Sequence, residues 1–248
     1  MTTRNPKVRF VVLSHSRSGS TLLQSTLDSH PEAEVFGEVL HESQDDRARF
    51  LRVRGHFYRE GTDAAEFLKE VVFGASPSNV RAVGFKLMYY QARESNNSLR
   101  AWELLRGDTA IHVVHLYRWN LLECFCSHEL ASRSQQWYLP VCAEQRIDMS
   151  PFSIEPKRFI GFCESVLSWR AWAKRAFAEH PILEVQYERD LCDDFSGAIA
   201  RIQRFVGLRP LSLRPRTRKQ AVIPVDRQVS NFVELRAACQ HTIGEEFF

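Results

Sequence analysis

The residues best equipped for chemistry form a polar run near the start of the chain: Arg17, Ser18, Gly19, Ser20 and Thr21. A short β-branched apolar segment precedes this run, and leucines at helical spacing follow it. A loop between a buried strand and a helix N-terminus leaves backbone N–H groups unpaired, so that it can bind an anion such as phosphate. The glycine allows close approach, while the hydroxyls and the arginine add donors. The alternative is an ordinary strand-to-helix turn with a capping serine.

The same loop differs from the Walker A loop, G-x-x-x-x-G-K-[ST], of magnesium-dependent nucleotidases. Ser14 stands where the first glycine belongs, and Ser20 stands where the lysine belongs. The cation of this chain precedes the glycine instead. We therefore do not expect a magnesium-dependent NTPase or a kinase-like enzyme.

A second arginine and serine farther along the chain form another candidate anion site. Arg118 stands at the end of the apolar strand predicted for Ile111–Tyr117, and Ser127 lies on the helix predicted to follow. A cation and a hydroxyl near a helix N-terminus can bind a second anion.

Two further charged residues accompany predicted strands. Lys86 interrupts the apolar run Ala82–Tyr90, and a buried ammonium must either find an anion or reach solvent. Glu38 and His41 follow the strand that begins at Ala33, at the edge where parallel sheets bind ligands. The alternatives are a solvated lysine at a strand edge and a glutamate that stabilises a helix N-terminus.

These motifs together resemble a known enzyme family. Ser-His-Ser-Arg-Ser-Gly-Ser-Thr-Leu-Leu at 14–23 resembles the 5'-phosphosulfate loop of sulfotransferases that use 3'-phosphoadenosine 5'-phosphosulfate (PAPS), in particular the bacterial nodulation-type branch that acts on carbohydrate and glycolipid hydroxyls. Residues 117–127 resemble the 3'-phosphate site of that family, and the Lys-Gln pair at 219–220 with residues 230–235 resembles its C-terminal block. The tyrosylprotein branch is a near relative.

The resemblance implies a role for each candidate residue. Arg17 would bind the 5'-phosphate and the bridging oxygen, and Lys86 would bind the sulfuryl or leaving group. Glu38 occupies the place of a catalytic glutamate and would be the base, provided that burial raises its pKa, with His41 as the rival. The remaining residues would bind the donor: Ser18, Gly19, Ser20, Thr21 and Leu22 the 5'-phosphate, Arg118 and Ser127 the 3'-phosphate, and Lys219 the nucleotide.

The composition of the chain is that of a globular protein and argues against some functions. The 248 residues are 44% hydrophobic and 25% charged, as in an ordinary globular protein, and the net charge of +3 argues against a dedicated nucleic-acid binder. We expect one domain over residues 1–248, with 132–156 as an acceptor-side loop and 209–248 as a basic tail and terminal helix that fold back. Neither a signal peptide nor a membrane-spanning run is apparent, which predicts a cytoplasmic protein.

The alternation of strands and helices predicts an α/β fold with a parallel sheet of about five strands and helices on both faces, and the resemblance makes this the P-loop NTPase-like sulfotransferase fold. The six cysteines lack zinc-site spacing, and the pair Cys124 and His128 is too small for a metal site, so no metal is expected. The leading hypothesis is a PAPS-dependent sulfotransferase acting on a saccharide or glycolipid. The alternatives are a peptidyl-tyrosine sulfotransferase and a non-catalytic nucleotide-binding protein, and the oligomeric state is left open.

Overall fold

Five parallel strands form the centre of the molecule in the computed structural model, which describes residues 7–41, 53–59, 61–142, 148–220 and 223–244. The strand order is β2-β3-β1-β4-β5. Buried, near-continuous apolar runs form the central strands, as expected of a parallel sheet covered on both faces. The strands are β1 (Val8–Ser14), β2 (Ala33–Phe36), β3 (Ala82–Met88), β4 (His112–Tyr117) and β5 (Ile182–Gln186).

Helices cover both faces of this sheet. Helices α1 and α6 pack on one face, and α2, α3 and α5 pack on the other, so the predicted three-layer α/β fold is confirmed. A further apolar cluster joins α4, α5 and α8. No helix in the described ranges is both long and apolar enough to cross a membrane. The helices are α1 (Ser20–Leu27), α2 (Ala64–Phe67), α3 (Asn96–Gly107), α4 (Leu121–Ser134), α5 (Pro156–Ala176), α6 (Phe195–Phe205), α7 (Val225–Gln228) and α8 (Phe232–Ile243).

Two segments depart from the predicted elements because they form π-helical turns. The helix predicted for residues 63–73 changes to π-helix at Leu68–Val72. The strand predicted for residues 181–188 ends at Gln186, and Tyr187–Asp193 forms the second π-helical turn. A carboxylate oxygen of Asp190 accepts the N–H of Gln186 at 2.7 Å, which ends the strand and starts the turn.

The carboxyl ends of all five strands lie at one edge of the sheet, and β1 lies in the middle. The register of β2 against β3 pairs Phe36 with Phe85, and the N–H of Lys86 donates to the carbonyl of Gly37 at 3.1 Å. This register brings Lys86 beside Glu38, which follows Gly37 in the chain. Ligand sites of open α/β sheets lie at this edge, so the loops that leave it are the place for a functional site.

Candidate active site

The loop after β1 has an unusual backbone. Arg17 has φ +64° and Gly19 has φ +85°, both in the left-handed region, and Gly19 is the N-cap of α1 without a side-chain cap. Turns of this kind point backbone N–H groups into one concavity that binds anions. A Cβ atom on Gly19 would lie 2.5 Å from the Tyr187 ring, so the position needs glycine for space as well as for conformation.

The Arg17 side chain joins this loop to α4 and to two later segments. Its Nε donates to the Ser127 hydroxyl at 3.0 Å, and its terminal nitrogens donate to the Trp137 carbonyl and to Gln220 Oε1. Burial lowers the pKa of Arg17, but a guanidinium keeps its charge in proteins. The guanidinium therefore places a fixed positive charge between the loop and Ser127.

A second group of charges lies at the end of β4. The Glu123 carboxylate accepts hydrogen bonds from the Arg118 guanidinium and from Lys219 Nζ, the latter at 3.1 Å. Burial raises the pKa of Glu123, but Arg118 and Lys219 outweigh it and the net pKa lies below its ordinary value. A carboxylate held between two cations marks a position that favours a bound anion.

The turn that carries Arg118 is held from two sides. Both carboxylate oxygens of Glu188 accept backbone N–H groups, from Trp119 at 2.9 Å and from Asn120 at 3.0 Å. The buried Arg170 of α5 donates to the Arg118 carbonyl. The Tyr187 ring lies 4.8 Å from the Arg118 guanidinium and also faces Gly19, so this ring contacts both candidate anion sites.

Sequence reasoning missed Tyr187 and Glu188. The expectations above give residues 187–191 no chemical role. A signal was available, because both residues directly follow a parallel strand, as Arg118 does. The rule that strand ends face the ligand would have found them.

Replacing Glu188 with alanine is expected to weaken the binding of 3'-phosphoadenosine 5'-phosphate roughly tenfold, because two backbone donors next to Arg118 lose their partners. Binding of adenosine 5'-phosphate should change much less, since that ligand lacks the group expected to meet Arg118. Calorimetric titration measures both affinities. Glu179→Ala, at an exposed position on the segment after α5, is the matched control. Equal losses for the two nucleotides would show that Glu188 does not position Arg118.

A third group of contacts surrounds Lys86 on β3. Lys86 is 7% exposed, and its Nζ lies 2.9 Å from Glu38 Oε1 and donates to Thr21 Oγ1 at 2.9 Å. Gln91 Nε2 donates to the other Glu38 oxygen at 2.6 Å, which fixes the orientation of that carboxylate. The lysine thus finds an anion, and it connects the loop after β1 with the loop after β2.

The raised pKa that a base at Glu38 requires is not present in this structure. Burial raises the pKa of this carboxyl. Three neighbours lower it by more than burial raises it: the Lys86 ammonium, the nearby His41, and Gln91 through its hydrogen bond. The net pKa of Glu38 therefore lies below its ordinary value. The charge that makes Lys86 a candidate for the sulfuryl group also makes Glu38 a weaker base in this arrangement.

Two adjoining cavities open at this edge of the sheet. The smaller, of about 110 Å³, is lined by the loop after β1 together with Arg118, Ser127 and Lys219. The larger, of about 1180 Å³, is lined by Glu38, Lys86 and the exposed His41, together with aromatic side chains. Both cavities share one boundary, formed by Arg17, Ser20, Thr21, Trp137, Tyr138 and Thr217.

The structure brings the predicted residues together with one exception. Gly19 and Leu22 line the smaller cavity, and Ser20 and Thr21 line both. Ser18 is 1% exposed and lies outside both cavities. The left-handed residues on either side turn its side chain inward, so the predicted role of its hydroxyl does not agree with the structure.

A metal site finds no support among the residues that the structure describes, since no three His, Cys, Asp or Glu side chains cluster there. Cys124 is buried and its thiol donates to the Ser16 carbonyl at 3.5 Å. Burial raises the pKa of Cys124 to about 11, which keeps the thiol protonated and a poor ligand. His128 instead lines the larger cavity.

Comparison with known proteins agrees with the resemblance seen in the sequence. The chain is 26% identical to Nodulation protein H of Rhizobium meliloti over 242 residues, which cover 93% of this chain and 91% of the relative. It is 27% identical to Nodulation protein H of Rhizobium tropici, over 92% of this chain and 87% of the relative. The predicted resemblance to the nodulation-type branch is thereby confirmed. No family model matches the chain.

Similar solved structures include a sulfotransferase from Alicyclobacillus acidocaldarius, with a TM-score of 0.48 and 12% identity over 97% of this chain and 96% of that one. Another is the sulfotransferase domain of the Synechococcus PCC 7002 olefin synthase, with a TM-score of 0.41 and 16% identity over 97% and 89% of the two chains.

Proposed function

We infer that the chain is a sulfotransferase of the nodulation type, and we propose that it transfers the sulfuryl group of PAPS to a hydroxyl of a saccharide or glycolipid. One observation carries the proposal. Three cations lie at the ends of three adjacent parallel strands: Arg17, Lys86 and Arg118. Arg17 belongs to the loop of left-handed residues, and the other two contact that loop. A donor with two phosphate-bearing positions and a sulfuryl group needs such a set of separate anion contacts.

The donor would lie along the smaller cavity. Its 5'-phosphate would enter the loop at residues 17–21, and its 3'-phosphate would take the place of the Glu123 carboxylate between Arg118 and Lys219. A volume of about 110 Å³ is small beside the roughly 300–1,000 Å³ of typical ligand pockets. The contacts of Arg17 with Gln220 and with the Trp137 carbonyl cross this space. We propose that the donor replaces them.

The proposed reaction is an in-line displacement at sulfur. The acceptor oxygen forms a bond to sulfur as the bond from sulfur to the bridging phosphate oxygen breaks, and the acceptor proton moves to Glu38. The leaving oxygen gains charge, which Arg17 and Lys86 would neutralise. A sulfuryl group carries less negative charge than a γ-phosphoryl group, so cationic side chains can serve without a metal.

Lys86 would have two partners during this reaction. In the structure it holds Glu38 at 2.9 Å and lowers the pKa of that carboxyl. When the donor binds, the ammonium would move toward its bridging oxygen, where negative charge develops in the reaction, and release Glu38. The pKa of the base would then rise as the proton is transferred, because burial would no longer be outweighed.

The larger cavity would hold the acceptor. Its volume of about 1180 Å³ accommodates more than one sugar ring, and Tyr90, Trp137 and Tyr138 line it beside polar groups. Aromatic side chains of this kind offer an apolar face with a polar edge, which suits a saccharide. Trp137 and Tyr138 lie within segment 132–156, which we propose as the acceptor-side loop. A peptidyl tyrosine would meet the same base, and competition between the two acceptors would separate these possibilities.

The first test is calorimetric binding of 3'-phosphoadenosine 5'-phosphate, compared with ADP and ATP, in the absence of magnesium. The expected result is preference for the 3'-phosphorylated nucleotide. In Arg118→Ala this affinity should fall by roughly tenfold to a hundredfold, because a charge-assisted contact to phosphate is lost. Affinity for ADP should change little.

The matched control for that test is Arg106→Ala, at an exposed position in the last turn of α3. It should bind all three nucleotides like the unaltered protein. Preference for ATP, or the absence of nucleotide binding, would overturn the proposed donor and return the loop after β1 to a general anion site. Retained preference in Arg118→Ala would overturn the assignment of the 3'-phosphate site.

A further inference from the structure

Two segments that are distant in sequence form a short ribbon over both cavities. Residues 137–141 and 216–220 run antiparallel, with a bridge between Pro140 and Thr217. The N–H of Val141 donates to the Arg216 carbonyl at 3.1 Å, and the N–H of Arg218 donates to the Leu139 carbonyl at 2.9 Å. We refer to residues 137–141 and 216–220 as the rim ribbon.

The rim ribbon exposes large apolar side chains. Trp137 is 45% exposed, Tyr138 is 46% exposed and Val141 is 56% exposed, and Ile223 beyond the ribbon is 37% exposed. Single exposed apolar residues are ordinary on a protein surface. Three of them within five residues on one ribbon form a patch, and patches of this kind mark interaction sites.

Positive charge dominates this part of the surface. Arg216, Arg218 and Lys219 are exposed in the second segment of the ribbon, and Arg214 is exposed just before it. Neither residues 131–142 nor residues 209–220 contain an aspartate or a glutamate. In the described part of the chain, Glu123 pairs with Lys219 and Asp28 interacts electrostatically with Arg216, so that these four cations outnumber the two carboxylates and a local excess of positive charge remains. The chain as a whole has a net charge of only +3, so this excess is a property of the ribbon region.

We propose that the rim ribbon docks on an anionic phospholipid surface. Tryptophan and tyrosine favour the level of the lipid headgroups, where one side of the ring is apolar and the other is hydrated. Clustered arginines complement the negative surface potential of anionic lipids. Aromatic residues and arginines occur together here, and that combination fits a lipid interface better than it fits an aqueous anion.

Docking in this way would face both cavities toward the lipid, because Trp137, Tyr138 and Thr217 line each of them. This consequence rests on the proposed function, since it would present the larger cavity to a membrane-borne glycolipid acceptor. The docking itself does not depend on that function. It can therefore be tested in the absence of donor and acceptor.

The test is sedimentation of the full chain with sucrose-loaded vesicles, of phosphatidylcholine alone or mixed with phosphatidylglycerol. Binding is expected only to the mixed vesicles and should weaken as salt is raised. Arg214→Gln/Arg216→Gln should lower the partition coefficient roughly thirtyfold. Val141→Ser, which removes exposed apolar surface outside the cavity linings, should lower it as well.

The controls carry the same changes at exposed positions elsewhere. Arg106→Gln/Arg175→Gln matches the change in charge, and Val233→Ser, at a position that is 76% exposed on α8, matches the change in apolar surface. Both should bind vesicles like the unaltered chain. Equal losses in ribbon and control variants, or no binding to mixed vesicles, would overturn the proposal. Equal affinity for duplex DNA at the same salt would overturn it too, because the ribbon would then be a general polyanion site.

Discussion

Replacing Lys86 with methionine is expected to lower kcat by about a thousandfold, while the affinity for 3'-phosphoadenosine 5'-phosphate changes only a few-fold. Methionine retains most of the length of the side chain and removes its charge. A charge directed at the leaving oxygen acts mainly in the transition state, and the loss of one such donor costs about 10²–10³ in rate. The second change, a higher pKa of Glu38, makes the base stronger and offsets only part of this cost.

The pH dependence of kcat/KM would reveal the change in the pKa of Glu38. In the unaltered protein the pKa of Glu38 is low, so the acid limb of kcat/KM should lie below the ordinary carboxyl pKa of about 4.3. In Lys86→Met, burial would raise the pKa of Glu38 without an adjacent ammonium to oppose it. The acid limb should therefore move to higher pH, with activity lost as pH falls through the new value.

Rates for this comparison are measured as transfer of radiolabelled sulfuryl from PAPS to whichever saccharide acceptor gives the highest rate with the unaltered protein. Lys174→Met is the matched control, because Lys174 also pairs with a glutamate, at 2.8 Å, but lies on α5 away from both cavities. A loss of less than tenfold in Lys86→Met would exclude Lys86 from the transition state. An unmoved acid limb would show that Lys86 does not control the base.

Local sequence predicted those parts of the site that a single segment encodes. The loop at residues 17–21 is a strand, a turn and a helix start in consecutive residues, so its chemistry could be inferred without tertiary structure. Arg118 directly follows β4, and Ser127 lies on α4, the next element along the chain. The apolar runs predicted the five strands, because a sheet buried on both faces requires them.

Contacts between distant segments could not be predicted in the same way. Glu38 and Lys86 were each identified as candidates, but their pairing depends on the register of β2 against β3, which the sequence does not state. For that reason the sequence indicates the burial that would raise the pKa of Glu38 but not the adjacent ammonium that lowers it. Gln220 and Trp137 contact Arg17 from segments that lack periodicity, so no sequence pattern indicated them.

The Glu38–Lys86 pair should also make the pH profiles of kcat and kcat/KM differ. The pH profile of kcat/KM reports the free protein, in which Lys86 holds Glu38, and the profile of kcat reports the complex with both substrates. If the donor draws Lys86 toward its bridging oxygen, Glu38 loses its partner only in the complex. The acid limb of kcat should then lie at higher pH than the acid limb of kcat/KM.

Replacing Glu38 with glutamine is expected to lower kcat by about a thousandfold, within the 10²–10⁴ that a positioned general base contributes. Glutamine has nearly the same shape and can still accept a hydrogen bond from Lys86, but it cannot take the acceptor proton. Affinity for 3'-phosphoadenosine 5'-phosphate should stay within a few-fold, because Glu38 lies on the acceptor side of the shared boundary. The acid limb of kcat should disappear together with the carboxyl group.

His41→Ala is the decisive comparison for this assignment. The imidazole is exposed on the same cavity, and the backbone N–H of His41 donates to the Glu38 carbonyl at 2.9 Å, so the two residues form one turn. If Glu38 is the base, His41→Ala should keep kcat within about threefold, since it removes only one of several groups that lower the pKa of Glu38. A thousandfold loss in His41→Ala with a small loss in Glu38→Gln would instead make the histidine the base. Unchanged function in both variants would favour the non-catalytic alternative, because a transferase needs a group that accepts the proton of its acceptor hydroxyl.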